Sequence, residues 1–237
     1  MNVLHLNVIS EGHLIPWQFE VKRMINAGYV GRNREAVEAH IEELRREGVP
    51  PPPSVPMIFP VLSHNVTTEN QIEVIGSKTS GEVEFVLLLE GENIFVGVGS
   101  DHTDRDLEGQ SIIKSKQICQ NVLSRNVWKY EDVESGWDKL LLQSWVKVDE
   151  ADEEILYQKA PLETIISSAT LMDLVKSKLN DGKEDGLVIF SGTAPILTGE
   201  IIYGNYFRGE LIDLRLGRAL SCEYVIRKLD YLKDMEP

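Results

Sequence analysis

Basic residues are scarce in this chain. Lysine and arginine together number 24 against 38 aspartates and glutamates, a formal net charge of −14. Nucleic-acid binding draws its affinity from Lys and Arg neutralising phosphates, so this balance argues against a nucleic-acid partner. It argues against an anionic membrane surface for the same reason. A small anionic substrate stays open, because one bound cation inverts the field of an acidic site. Cysteine is nearly absent, with only Cys119 and Cys222. They make no C-x-x-C pair and no zinc spacing, and they point to two free thiols in a reducing cytoplasm. No apolar run approaches the roughly 20 residues that a spanning helix needs. The opening stretch, MNVLHLNVISEGH, has neither the basic lead nor the apolar core of a secretory leader. There is no P-loop and no G-x-G-x-x-G, and the lone Gly97-x-Gly99 is too little for a nucleotide site.

What is present is an apolar, strand-rich chain of 237 residues, 42% of them hydrophobic, enough for one large domain with a sizeable core. Val3–Ile9 and Trp17–Val21 read as strands. Asn33 can cap a helix over Arg34–Glu47, which carries Val37, Ile41 and Leu44 on one face and closes at Gly48. Four prolines, Pro50–Pro53, then force an extended stretch. The expected organisation is a small strand/helix element over 1–50 and a main body over 51–237. Further strands are expected at Met57–Leu62, Gln71–Gly76, Leu140–Val148, Ile155–Lys159, Leu187–Phe190, Tyr206–Ile212 and Arg218–Ile226. A short helix is expected within Ser111–Asn121 and a longer one over Pro161–Leu179. The class is α+β, β-rich, with few helices.

One stretch carries chemistry. Gly81–Glu108 opens with Glu82-Val83-Glu84 inside a long apolar run. Residues two apart on a strand share a face, so Glu82 and Glu84 project together. A turn at Gly91–Asn93 and a second run, Ile94–Val98, bring the chain back, and Gly99-Ser100-Asp101 is expected to turn it sharply. Such a hairpin delivers Asp101 to the first two acids. Three converging carboxylates on an apolar sheet repel one another unless a cation lies between them. Oxygen-only ligands favour a hard ion, Mg²⁺, Mn²⁺ or Ca²⁺.

The E-x-E step followed by Gly-Ser-Asp101-His-Thr-Asp-Arg105-Asp-Leu-Glu108 resembles the fumarylacetoacetate hydrolase superfamily, whose members carry a Glu-x-Glu pair and then a motif like N-D-x-[ST]-A-R-D-x-Q. The wording GSDHTDRDLE looks like a branch of that superfamily defined only as a domain of unknown function. The resemblance covers about Ile72 to Leu229. It implies a fumarylacetoacetase C-terminal-like mixed β-roll. It places Glu82, Glu84 and Asp101 on the metal carboxylates, Arg105 on the active-site arginine and Lys116 on the substrate-side lysine. Ser191-Gly192-Thr193-Ala194-Pro195 falls on the G-T-P loop, with Gly192 and Thr193 at the substrate. Glu108 stands where a substrate-binding glutamine is typical, and His102 and Asp104 replace small or apolar residues. The stretch after Lys116 lacks the D-x-x-x-P-x-G pattern, which points to a different substrate. The superfamily's water-activating His-Glu pair makes His64 and Glu69, in the loop SHNVTTEN, candidates for the base, and His102 beside Asp101 is the rival. The implied activity is metal-dependent C–C hydrolysis of a small dicarbonyl or oxo-acid through an enolate. Decarboxylation, isomerisation or hydration on the same site, or non-catalytic binding of a small acid, are the alternatives. A homodimer is expected, as is common in the superfamily.

Overall fold

The computed structural model describes residues 2–46, 51–52, 54–149 and 152–232. The chain begins with β1 (Asn2–Ser10), β2 (His13–Val21), β3 (Arg23–Gly28) and helix α1 (Arg34–Arg46). Then come β4 (Met57–Val61), β5 (Val66–Thr67) and β6 (Gln71–Val74). A long hairpin follows, β7 (Thr79–Glu90) and β8 (Asn93–Asp104), leading into α2 (Arg105–Glu108) and α3 (Ile112–Ile118). Strands β9 (Asn121–Leu123), β10 (Asn126–Lys129), β11 (Leu141–Lys147) and β12 (Ile155–Pro161) precede α4 (Ser168–Lys178). β13 (Leu187–Phe190), β14 (Tyr206–Asp213) and β15 (Arg218–Lys228) are the last elements.

These strands form a ten-stranded mixed sheet and a five-stranded one. The first runs β2-β1-β10-β8-β7-β13-β3-β4, with β9 paired to β8 and β5 to β9; the second runs β12-β11-β14-β15-β6. The large sheet curls. β1 lies near one edge and β4 at the other, yet the Asn2 side chain donates to Ser63 O at 2.9 Å and Val66 O at 3.0 Å, beyond the end of β4. Its outer face packs on the second sheet: Val83, Phe85 and Leu87 of β7 join one apolar cluster with Phe207, Leu211 and Tyr224. Its inner face closes on itself, so Val86 and Leu88 share a second cluster with Leu4, Phe19, Met24 and Phe190. Each such fully buried side chain contributes about 1.5–3 kcal/mol. This two-sided burial is why β7 reads as a continuous apolar run rather than an alternating one.

The sequence expectations place most strands within two residues of their observed ends. Asn33 caps α1, its Oδ1 accepting from Ala36 N–H at 3.1 Å. Val37 and Ile41, expected on a buried face, are only half-buried. Gly48, Pro50, Pro53 and the side chains of His40 and Leu44 lie outside the described residues. The sheet does not break at the proline stretch: β3 lies between β13 and β4, and β1 pairs with β10, so strands from 1–50 and from 51–237 interleave. The helix expected from Pro161 starts at Ser168, capped by the Ser167 hydroxyl, because Pro161 ends β12 and a 3₁₀ turn at Leu162–Thr164 intervenes. Cys119 and Cys222 are buried free thiols. Among the described residues no helix is long and apolar enough to cross a membrane.

Candidate metal centre

The β7–β8 register places Glu82 opposite Asp101 and Glu84 opposite Gly99. Strand alternation sends Val83 and Phe85 to the outer face and the three acids to the inner one. There each carboxylate offers an oxygen within 4.8 Å of the other two. Glu84 and Asp101 are fully buried; Glu82 is partly covered. The convergence agrees with expectation, but the route differs. β8 does not turn at Gly99-Ser100-Asp101; it runs straight through to Asp104. Gly99 is there for close approach, since a Cβ on it would lie 2.7 Å from Val122 O and 2.7 Å from the Phe190 ring.

Two cations answer the acids. Lys116, carried by α3, is buried and donates its ammonium to Asp101 Oδ2. Thr103 Oγ1 donates to Asp101 Oδ1 at 3.3 Å. Arg105 opens α2, and its guanidinium reaches Glu82 Oε1 at 3.2 Å, Glu108 Oε2 at 2.8 Å and Ser80 Oγ at 2.7 Å. Glu84 Oε2 accepts from the Gly192 N–H at 2.8 Å. Burial pushes the Glu82 carboxyl up, against the pull of Arg105 and Lys116. It pushes Glu84 well above the carboxylate range, and Asp101 adds to this. Burial works against charge on Arg105 and Lys116 too, but the surrounding carboxylates outweigh it and hold both protonated.

This donor set fits a hard divalent cation. When all groups ionise, four carboxylates (Glu82, Glu84, Asp101, Glu108) face two cations (Arg105, Lys116), which leaves two negative charges. Burial is the main cause of the uphill shift of Glu82 and Glu84, and at Glu84 the neighbouring Asp101 charge adds to it. Every donor is oxygen, which favours Mg²⁺, Mn²⁺ or Ca²⁺ over zinc.

Other expected site residues lie elsewhere or are engaged differently. His102 is one step along β8 from Asp101, so it points to the opposite face. Its Nδ1 lies 3.0 Å from Tyr224 Oη, Nε2 has no partner, and burial lowers its pKa to about 3. The ring is neutral and faces Tyr224, away from the carboxylates. His64 is exposed in a 3₁₀ turn, Ser63–Asn65, which docks on α3 through Asn65 Nδ2 to Gln117 O at 2.7 Å. Glu69 does not orient it; this carboxylate sits 3.7 Å from Arg125, in a cleft shared with Cys222 and Glu223. The loop after β13 is also committed. Thr193 Oγ1 donates to Val83 O at 2.7 Å and accepts from Gln158 Nε2 at 2.7 Å, and the Gly192 N–H is taken by Glu84. These bonds tie the loop to β7, to Gln158 and to Glu84.

Sequence reasoning missed the residues behind the site. Gln158 on β12 ties β7 to the Thr193 loop. Tyr224 on β15 binds Ser100 Oγ at 2.8 Å as well as His102. Asn26 and Asn121 meet across the inner face at 3.3 Å, fully buried. No local motif marks any of them, since each acts through strands far apart in sequence.

Residues 27–224 match the family described as protein of unknown function (DUF2848). No curated protein matches the chain. Several solved structures share its fold at low identity. A 2-keto-3-deoxy-D-arabinonate dehydratase, complexed with magnesium and 2,5-dioxopentanoate, is 14% identical with a TM-score of 0.63 over 93% of this chain and 78% of that one. A 5-carboxymethyl-2-hydroxymuconate delta-isomerase from Mycobacterium smegmatis is 15% identical with a TM-score of 0.62, covering 89% and 80%. A fumarylacetoacetate hydrolase from the psychrophilic Exiguobacterium antarcticum is 13% identical with a TM-score of 0.59, covering 92% and 80%. At such identities the likeness is one of fold. The chain belongs to the DUF2848 family of proteins of unknown function, and its fold is the one these solved structures share.

Proposed function

We propose that this protein is a divalent-metal-dependent enzyme acting on a small dicarbonyl or oxo-acid. Hydrolysis of a C–C bond is the first reading, with decarboxylation, isomerisation or hydration as alternatives on the same site. The observation that carries it is the convergence of Glu82, Glu84 and Asp101, with oxygens within 4.8 Å of each other at the end of a long apolar hairpin. The activities of the structural relatives, a dehydratase, an isomerase and a hydrolase, support the same class. Glu82, Glu84 and Asp101 would hold the ion, with Mg²⁺ first and Mn²⁺ or Ca²⁺ next. When bound, it supplies Lewis-acid stabilisation of negative charge developing on substrate oxygens.

The protein's own groups do the rest. The Gly192 N–H orients Glu84, and Arg105 clamps Glu82 against Glu108. Lys116 places a permanent positive charge beside Asp101, which draws an anionic substrate into an acidic molecule. Of the two histidines expected to move a proton, His64 is the one left in solvent, on a turn docked against the residue next to Lys116. The exposed Leu14 and Ile15 on β2, an edge strand, support a second copy as partner. A second reading, non-catalytic binding of a small acid, is favoured by one observation: His64 and Glu69 form no dyad.

The deciding experiment screens acylpyruvates and oxaloacetate for loss of enol absorbance, with Mg²⁺ and with EDTA. Turnover of at least one is expected, and the Glu82→Gln, Glu84→Gln double variant should lose it by about 100-fold or more. Bound Mg²⁺ with no turnover of any substrate would leave the binding protein as the answer.

A further inference from the structure

Two amides lie sealed in the interior. Asn26 on β3 and Asn121 on β9 are both fully buried, and Asn121 Nδ2 donates to Asn26 Oδ1 at 3.3 Å. That bond leaves Asn121 Oδ1 and Asn26 Nδ2 with no partner among the described residues. Turning both amides over only exchanges the roles, so one oxygen and one nitrogen stay unpaired either way. Buried polar groups are nearly always paired, and each exception costs stability. The flanking side chains are apolar. Asn26 stands between Phe59 and Phe190 in the sheet, and Val66 pairs with Asn121. Two leucines of similar volume would sit there without that cost, so folding does not account for the pair.

The strand register fixes where the pair stands. On β3, Met24 joins the inner cluster while Ile25 and Ala27 join the outer one, so Asn26 points inward. On β9, Leu123 is inward and Val122 outward, so Asn121 points inward too. β8 and β9 pair Gly99 with Leu123 and Ser100 with Val122, and the next step of this antiparallel ladder sets Asn121 opposite Asp101. Neighbours so placed on one face have Cβ atoms about 4.5–5.5 Å apart. A second path reaches the same point. The ring of Phe59, the cross-strand neighbour of Asn26, has the Lys116 ammonium 6.0 Å from its centre, and that ammonium is the one bonded to Asp101. The unpaired amide groups therefore lie next to Asp101, on the face that the three acids share.

The leftover atoms select the ligand. A carboxylate or keto oxygen only accepts, and it would meet the free amide oxygen with no proton between them. An ammonium only donates. A hydroxyl does both, accepting from the free amide N–H and donating to the free amide oxygen. We infer that Asn26 and Asn121 form a hydroxyl-binding subsite of the metal centre, so that the oxo-acid taken there carries an alcohol O–H near the atoms that face the ion. The inference rests on the metal-centre reading and narrows its substrate class to hydroxylated oxo-acids.

The test is calorimetric titration of the full chain, saturated with Mg²⁺, with ligands that differ by one hydroxyl: pyruvate against 3-hydroxypyruvate, and 2-oxobutanoate against 4-hydroxy-2-oxobutanoate. The hydroxylated member of at least one pair is expected to bind the wild type about tenfold tighter. In the Asn26→Leu, Asn121→Leu double variant that preference should shrink to within about twofold, while Mg²⁺ and the plain oxo-acid stay within about twofold of wild type. Its Tm should hold or rise, because both leftover groups are removed together. Asn26→Ala serves where the double variant does not fold: it takes away one side of the subsite, and the preference should again shrink. No hydroxyl preference in the wild type, a full preference kept in the variant, or equal loss for both members of a pair would each overturn the inference alone, leaving the two amides as a structural pair. Failure of the wild type to bind Mg²⁺ would overturn the metal centre and this inference together.

Discussion

Gln158 has no charge and stands in no motif, yet four hydrogen bonds converge on it. Its Oε1 accepts from Val83 N–H at 3.0 Å and Ser144 Oγ at 2.9 Å; its Nε2 donates to Thr193 Oγ1 and Ala194 O, both at 2.7 Å. That fills the capacity of an amide. The need arises because β13 ends at Phe190, so β7 has no strand partner on that edge where Glu82 and Glu84 project. Gln158→Leu keeps the volume and strips all four bonds, leaving the Val83 N–H and its neighbours unpaired. It should cost about 2–4 kcal/mol in urea unfolding; a loss under about 0.5 kcal/mol would show the network to be dispensable. The contrast with the acids explains what the sequence makes legible at this scale. Two glutamates inside an apolar strand contradict their surroundings and so announce a site. A glutamine on a strand looks like an ordinary solvated residue until its partners, 14 to 75 positions away, are in place. His102 misleads in the opposite way: adjacency to Asp101 in sequence suggests a shared site, whereas on a strand it guarantees opposite faces.

Among the elements, the loop after β13 does the most for its length. Gly192 has φ of 79°, and a Cβ there would meet Val30 Cγ2 at 2.6 Å and Ala27 O at 3.0 Å. Gly192→Ala therefore faces a strained backbone and a collision with backbone as well as side chain. The displaced N–H would release Glu84, so Mg²⁺ affinity should fall about 10–100-fold alongside a lower Tm. Destabilisation with unchanged Mg²⁺ affinity would detach the loop from the metal site. The small residues of this fold are easily misread from sequence. Gly99-Ser100 has the composition of a turn, but it lies mid-strand in β8, where the space is filled by Phe190 and Val122. Pro161 likewise resembles a helix start, and the apolar Ile165 extends the helical period backwards, yet the capping hydroxyl belongs to Ser167. The long apolar runs of β7 and β8 were the readable elements, because burial on both faces leaves no polar alternation to mistake.

At the scale of the whole molecule, strand partners are what a sequence conceals. β3 pairs with β13 and β1 with β10 across more than half the chain, so the curl of the large sheet follows from long-range pairing that no local pattern encodes. The cluster itself is more local: the β7–β8 hairpin and the two helices after it bring four carboxylates and two cations together in a molecule already carrying a net charge of −14. The consequence is testable through stability. Glu82 and Glu84 titrate higher in the folded protein than the ordinary value of 4.5. The folded state thus holds more protons than the unfolded one above that pH, and the stability these groups contribute is present below 4.5 and lost as pH rises through their folded values. In EDTA this contribution falls as pH rises, and pH 5.5 and pH 8.0 are the two conditions to compare. A divalent ion takes the place of those protons, so it stabilises more at the higher pH. At 100 times its Kd it adds about 2.7 kcal/mol, roughly 5–10 °C in Tm for a chain of this size. Thermal unfolding with EDTA and with Mg²⁺ at both pH values should show a larger Mg²⁺ shift at pH 8.0, and none in Glu84→Gln. A shift of the same size at both pH values, or one retained in Glu84→Gln, would place the ion somewhere other than between these acids.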